Sequence, residues 1–360
     1  MSKIKQFVRK AYKRLERNGL FKSCYNDYFT ADKGDFYKYL TKEQKEQIKD
    51  YWGKYFKVTK KDMNVIAFYN HTVGGEFTPK YIPDYYFYAD VKAVLNNQAF
   101  ANSIDNKCYY SMYITHIKRP NEFAKRICGG PLLDNEFVPT TIEDVFNKLE
   151  DNQKYIFKPS VLTSGGKDIV TFNKTEIEKM RPIFKKFPDF VVQEFLKQSS
   201  ALNVFKSKSV NSIRVYSLYM DGEVHILGSS LRIGLHDKEV DNFCSGGVFI
   251  PIKENGNLEE FGYTHAKDKI SGVNGVEFKS VTIPNYDKVL DLVKKESLKY
   301  PQVKFIGWDF AIGEDNEPIF IEFNLTQSDP ELLNIITYGE IFRGYEKRIL
   351  DFAFGKSKKL

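Results

Sequence analysis

Metal-binding and disulfide-forming residues are sparse in this chain: five histidines and four cysteines among 360 residues. Cys24, Cys108, Cys128 and Cys244 are scattered, with no CxxC pair, and no histidines pair at ligand spacing. That pattern argues against a zinc site or a disulfide framework and fits reduced thiols in a cytosolic protein. No apolar run approaches the ~18–20 residues needed to span a bilayer. The opening segment MSKIKQFVRKAYKRLERNGLF has neither the apolar block nor the small-residue cleavage site of a secretory signal. Internal repeats, low-complexity stretches and any Ser/His/Asp or Cys/His arrangement are also missing. A soluble, cytoplasmic protein without a protein nucleophile is expected.

What is present begins with charge. The formal net charge is +7, and residues 1–22 carry eight Lys/Arg against Glu16 alone, so the excess is confined to the N-terminus. On a helix, Ile4, Phe7, Val8, Ala11, Tyr12 and Leu15 share one face. Such a basic amphipathic helix can touch the inner face of a membrane or an acidic partner, although a packed helix with a solvated basic face is the commoner outcome. Basic residues are not organised elsewhere, which disfavours nucleic acid. The aromatic content of 15% lies in runs at strand spacing, more often core than stacking platform.

The pattern predicts an α+β fold preceded by a mainly helical N-terminal region. Residues 1–60 read as helical, with Thr41 and Gln44 spaced as a capping box. NVIAFYNH and YYFYADV, broken by Gly74-Gly75, Pro79 and Pro83, read as short strands and loops. Helices are expected at 141–150, 173–187, 285–299 and 339–354, and strands at 154–159, 189–196, 303–312 and 317–323. Asp221-Gly222 between two alternating apolar runs marks a hairpin.

Three constellations carry chemistry. Lys158 ends a strand and is followed by Ser164-Gly165-Gly166-Lys167. A lysine there can aim a point charge at phosphates, and glycines let backbone N–H groups approach them. The Walker A spacing is absent. Second, Gln193, Glu194, Phe195 and Leu196 end an apolar strand in a way that suits a hinge beside an adenine. Third, Asp309 lies in GWDFAI, and Glu322 and Asn324 in IFIEFNL. Two residues apart on a strand, Glu322 and Asn324 share a face, and a hairpin pairing can bring Asp309 to it; Ile319, Ile321 and Phe323 would then face the core. Two carboxylates and an amide oxygen are hard donors that suit Mg²⁺.

In this order, the elements resemble the ATP-grasp superfamily. VNSIRVYSL, LRIG, VDNFCSGGV, GWDFAI and IEFN, with NKCYYSMYI upstream, resemble more narrowly its sugar-transfer-associated family, over about residues 75–350. The resemblance implies two α+β lobes enclosing a nucleotide: a helical region at 1–75, a connecting segment at 76–105, a lid subdomain at 106–197, and a C-terminal subdomain with the metal site at 198–360. It implies ATP and two Mg²⁺ ions as cofactors. Lys107 and Lys158 would contact phosphates, and Ser164, Gly165 and Gly166 would cover them together with Lys167. Glu194 would lie in the adenine hinge, and Asp309, Glu322 and Asn324 would hold the metals. The pattern departs from the family where an arginine usually precedes the metal Asp, since Gly307 and Trp308 stand there. Arg214 or Arg232, on the two strands of the hairpin, would supply that charge during phosphoryl transfer. Asn211, Asp241 and Asn242 are candidates for the acceptor pocket.

The expected reaction is a carboxylate–amine ligation through an acyl phosphate, in polysaccharide or cell-surface glycan modification. Its partners would be a small-molecule or glycan-linked carboxylate and an amine. Two other readings stay open: a kinase acting on a hydroxyl, and a membrane- or polymer-binding module with a degenerate nucleotide site.

Overall fold

A computed structural model describes residues 15–26, 34–160, 168–235, 246–326 and 328–360. Ser164, Gly165, Gly166, Lys167, Asp241 and Asn242 lie outside them, as do residues 1–14 of the basic N-terminus.

The described residues of the N-terminal part are mainly helical. Thr41 and Gln44 form the expected capping box on the helix Lys42–Trp52, and Thr59 with Asp62 forms another on Lys60–Val73. NVIAFYNH, expected as a strand, therefore belongs to a helix. Its apolar residues are buried on nearly every side, which hides the 3.6-residue period. YYFYADV is likewise helical, in a continuous run from Asp84 to Leu95 whose middle, Phe87–Lys92, is a π-helix. Pro83 ahead of this run is tolerated because helix starts need no backbone N–H. Residues 15–26 form a helix that packs on this run. Arg17 holds Asp90 in a two-armed ion pair at 2.9 and 2.6 Å, and Phe21 meets the Tyr85 and Tyr86 rings edge-on.

Two antiparallel sheets follow. The smaller comprises β1 (Glu122–Arg126), β2 (Lys154–Pro159), β3 (Val170–Asn173) and β4 (Phe190–Glu194), in the order β1-β4-β2-β3. Its apolar face packs under the helices Ile142–Asn147 and Ile177–Lys186. The larger sheet contains β5 (Ser212–Met220), β6 (Glu223–Ile233), β7 (Val248–Pro251), β8 (Gly262–Thr264) and β9 (Lys269–Ile270). After a small hairpin, β10 (Gly272–Val273) and β11 (Val276–Glu277), the chain adds β12 (Phe305–Ile312) and β13 (Pro318–Asn324). The order is β13-β12-β5-β6-β7-β8-β9. One core joins residues of this sheet, among them Tyr216, Leu218, Leu227 and Phe305, to the N-terminal helices and the helices Pro330–Thr337 and Glu346–Ala353. A second core joins Ile213, Val215, Trp308 and Phe310 to the helix Tyr286–Ser297.

Two further expectations need correction. The helix expected at 339–354 runs only over Glu346–Ala353, because Gly339 and Gly344 adopt φ values of +82° and +97° that keep the residues before it in turns. The alternation expected along β13 also breaks. Asp309 pairs with Glu322 and Phe310 with Phe320, so Ile321 is the extra residue of a β-bulge. Phe320 and Phe323 consequently share the core, while Ile321 is only half-buried.

Candidate active site

Strand register assembles the first half of the site. Asp309 on β12 lies opposite Arg214 on β5 and opposite Glu322 on β13, so three neighbouring strands carry charged residues at one level of one face. Arg214 is 2% exposed and grips Asp309 with both arms: Nε donates to Oδ1, and Nη2 to Oδ2 at 3.0 Å. Arg232 adds Nη2 at 2.9 Å to Oδ2, and Asn324 Nδ2 donates to the same oxygen at 3.1 Å. Burial opposes the Asp309 charge, but the two guanidinium groups outweigh it and hold the carboxyl below its ordinary range.

Lysines from outside the large sheet complete it. Lys107, in a short helical turn at Lys107–Tyr109, places Nζ 2.8 Å from Glu322 Oε2. Burial disfavours its charge, yet Glu322, with Asp105 and Asp309 in support, raises its affinity for the proton. Lys158 on β2 lies within electrostatic reach of the same carboxylate. Burial lowers its pKa to about 8, with Glu322 opposing that shift and Lys107 adding to it. Lys107 and Lys158 thus come from two different elements into electrostatic reach of Glu322, and their cationic heads suit phosphate oxygens.

The remaining expected residues are placed as follows. Gln193 is 5% exposed in β4. Glu194 turns its carboxylate onto Asn121, accepting its backbone N–H and its side-chain amide at 3.0 Å each. The Phe195 N–H bonds Lys154, and Leu196 follows in the crossing to the large sheet, where Gln198 bridges Gly313. Asn211 is fully buried, tied to Gln198 and Leu202, with its Oδ1 unsatisfied among the described residues.

The structure adds residues that motif reading missed. Asp105 accepts a hydrogen bond from Thr326 at 3.2 Å, and its pKa is raised by burial against the pull of Lys107. Asp329 takes Arg214 Nη1 at 3.0 Å. Lys92, in the π-helical segment, is 2% exposed and bonds Ser328 at 2.9 Å; burial brings its pKa down to about 7. Asn96, one turn further, binds the Leu325 carbonyl at 3.0 Å. Together these residues pin the loop that leaves Asn324. Its sequence NLTQSDP, polar and ending in Asp-Pro, was the available signal, but it reads equally as an ordinary turn.

The donor set can be tested against a divalent cation. Glu322 uses one oxygen for Lys107 and keeps the other. Asn324 donates through Nδ2, which leaves Oδ1 turned away from Asp309. Asp309 Oδ2 already receives three donors, so only Oδ1 retains capacity. Among the described residues no cluster of three or more His, Cys, Asp or Glu could hold a metal alone. A partial oxygen shell of this kind fits Mg²⁺, which keeps waters and borrows ligands from phosphates.

The sugar-transfer associated ATP-grasp family model matches residues 86–344. The chain belongs to that family. This ATP-grasp chain is also similar in fold to several solved structures. One is D-cycloserine synthetase DcsG, at 8% identity over 71% of this chain and 73% of that chain, TM-score 0.44. Another is D-alanyl-alanine synthetase A from Vibrio cholerae, at 11% over 72% and 67%, TM-score 0.42. A third is the ATP-grasp ligase PsnB, at 15% over 72% and 62%, TM-score 0.38. At such scores these likenesses carry no argument about substrate. No curated protein sequence matches the chain. No helix among the described residues is long and apolar enough to cross a membrane.

The Arg214–Asp309 pair gives a direct test. Arg214→Met removes the two-armed partner of a buried carboxylate, leaving it only Arg232 and Asn324 on one oxygen, and is expected to cost about 3–5 kcal/mol in denaturant unfolding. Arg214→Met with Asp309→Leu should recover at least half of that. A single variant as mild as ~0.5 kcal/mol, the surface-substitution range, would contradict the geometry.

Proposed function

We propose that this ATP-grasp protein is an ATP-dependent ligase that activates a carboxylate and couples it to an amine. The observation that carries the reading is the ion pair of Lys107 with Glu322, within electrostatic reach of the buried Lys158 and beside an Asp309 held by two arginines. Five cations (Lys92, Lys107, Lys158, Arg214, Arg232) stand among four carboxylates (Asp105, Asp309, Glu322, Asp329). That near-balance suits a triphosphate arriving with divalent metal.

Lys107 and Lys158 bind the nucleotide phosphates. Glu322 and Asn324, with the remaining lone pair of Asp309 Oδ1, would hold Mg²⁺, which when bound would supply charge neutralisation on the phosphoryl oxygens. The substrate carboxylate oxygen attacks the γ-phosphorus, the bond to ADP breaks, and an acyl phosphate results. The amine nitrogen then attacks the acyl carbon, phosphate leaves with the bonding electrons, and the amine proton passes to solvent. Arg232, 15% exposed in its side chain, stabilises the charge on the transferring group, while Arg214 fixes the carboxylate beneath it. Positioning and electrostatics do the work, with no covalent intermediate on the protein. The family name supports placing such a product in polysaccharide or cell-surface glycan modification.

Two measurements check the reading. Incubation of the protein with ATP, Mg²⁺, a panel of sugar acids and hydroxylamine should give hydroxamate together with ADP. A stable phosphoester in place of hydroxamate would show a kinase, and no ADP from any acceptor would count against both.

The second is pH. Lys158 is cationic below about 8 and neutral above it, so phosphate binding weakens as pH rises. For ATP, kcat/KM should fall about tenfold per unit on the alkaline side. Bound phosphates favour the cation, so the kcat profile should break at higher pH. Lys158→Arg, always charged, should remove the alkaline fall. A flat wild-type kcat/KM to pH ~9.5 would exclude Lys158 from the phosphate site.

A further inference from the structure

Asp329 is oriented far more tightly than an Arg214 partner requires. It stands ahead of the helix Pro330–Thr337 in the left-handed region, at φ 47°, a conformation costing a non-glycine residue roughly 1–2 kcal/mol. An aspartate at this N-cap position normally caps a helix N–H, but this side chain makes no capping bond. Its Oδ2 takes Arg214 Nη1 at 3.0 Å, and its carbonyl accepts the Tyr216 hydroxyl at 3.1 Å. The preceding Ser328 is held by the buried Lys92. The side chain nonetheless remains 43% exposed, and its Oδ1 has no partner among the described residues.

Ser230 supplies an independent observation. It lies directly opposite Arg214 across the β5–β6 pairing, so the two side chains share a face. Ser230 is 0% exposed, and its hydroxyl has no hydrogen-bond partner among the described residues. Leaving a buried hydroxyl unsatisfied costs about 1–3 kcal/mol, so the position is poorly explained by packing alone. Asp329 thus contacts the guanidinium of Arg214, whose other arm fixes Asp309, and Ser230 stands beside Arg214 on the neighbouring strand. One offers a half-exposed carboxylate oxygen, a pure acceptor; the other offers a hydroxyl able to donate or accept.

We infer that Asp329 and Ser230 form the subsite for the amine substrate, with Asp329 Oδ1 accepting its ammonium and Ser230 a second polar group of the same molecule. The inference rests on the ligase reading above and adds where the second substrate binds. A carboxylate selects a primary ammonium over a hydroxyl through charge as well as geometry. Sharing Arg214 with Asp309 sets the amine beside the phosphoryl-transfer site. Glu331, in the first turn of the same helix, is engaged by Lys267 at 3.5 Å.

The test uses the full chain with Mg²⁺ and a non-hydrolysable ATP analogue. Saturation-transfer NMR compares ethanolamine, glycine and glucosamine with their hydroxyl counterparts ethylene glycol, glycolate and glucose. At least one amine should bind where its counterpart does not. Asp329→Asn should weaken that amine at least tenfold, and Ser230→Ala, which leaves the Arg214 pair intact, about threefold. Should no amine outbind its counterpart in the wild type, or should both variants bind as the wild type does, the subsite is wrong. If Asp329→Asn proves unfolded by its thermal midpoint, Ser230→Ala decides alone. Hydroxamate formation by the same preparation scores the ligase reading separately. Hydroxamate without amine discrimination overturns the subsite only, and amine discrimination without hydroxamate overturns the ligase.

Discussion

The arrangement depends on one buried ion pair, Arg214 with Asp309. Removing two charges from water is costly, and the cost is offset only when geometry and extra hydrogen bonds are good. Here they are: the guanidinium engages both carboxylate oxygens, and Arg232 and Asn324 fill the remaining capacity of Oδ2. The pair ties β5 to β12, and through Asn324 it ties β12 to β13. Arg214 also reaches Asp329, so the turn that starts the helix Pro330–Thr337 is fixed by the same side chain. A one-residue slip in any of these strands would put an unpaired charge in the core, which makes this register strongly specified.

Around that anchor the local electrostatics divide the labour. Asp309 is held ionised but nearly saturated, and so acts mainly as a fixed point. Glu322 and Asn324 keep donor capacity. Lys107 stays firmly protonated against Glu322, whereas burial makes Lys158 easier to neutralise. Lys158 belongs to the small sheet and Glu322 to the large one, so a nucleotide binding both would draw on both sheets. Lys92 and Asn96 extend this order backwards. They lie four residues apart at the end of the π-containing helix and brace the loop that follows β13.

Much of this was legible in the sequence where the signal is local. The Asp221-Gly222 hairpin, the Thr41–Gln44 cap and the two-residue spacing of Glu322 and Asn324 all depend on near neighbours. The ordered set of strand lysine, glycine loop and terminal Asp…Glu-x-Asn also pointed to the family. The Lys60–Val73 helix was misread because burial on all sides removes polar residues that would mark its period. The bulge at Ile321 leaves no composition cue, so the side-chain alternation of β13 was drawn one residue too regular. Asp105, Lys92 and Asp329 carry no motif. Thr326 meets Asp105 across 221 positions and Ser328 meets Lys92 across 236, so only the tertiary fold brings them together. The fate of the Ser164–Lys167 loop lies outside the described residues.

The central claim is that Glu322 and its neighbours bind metal beside a triphosphate held by Lys107 and Lys158. Calorimetric titration of the full chain with a non-hydrolysable ATP analogue, with and without Mg²⁺, addresses it most directly when wild type and Glu322→Gln are compared. The account predicts that omitting Mg²⁺ weakens wild-type binding at least tenfold and that Glu322→Gln, still folded, loses most of that metal dependence. An absence of nucleotide binding in the wild type, or a Glu322→Gln variant with undiminished response to Mg²⁺, would contradict it.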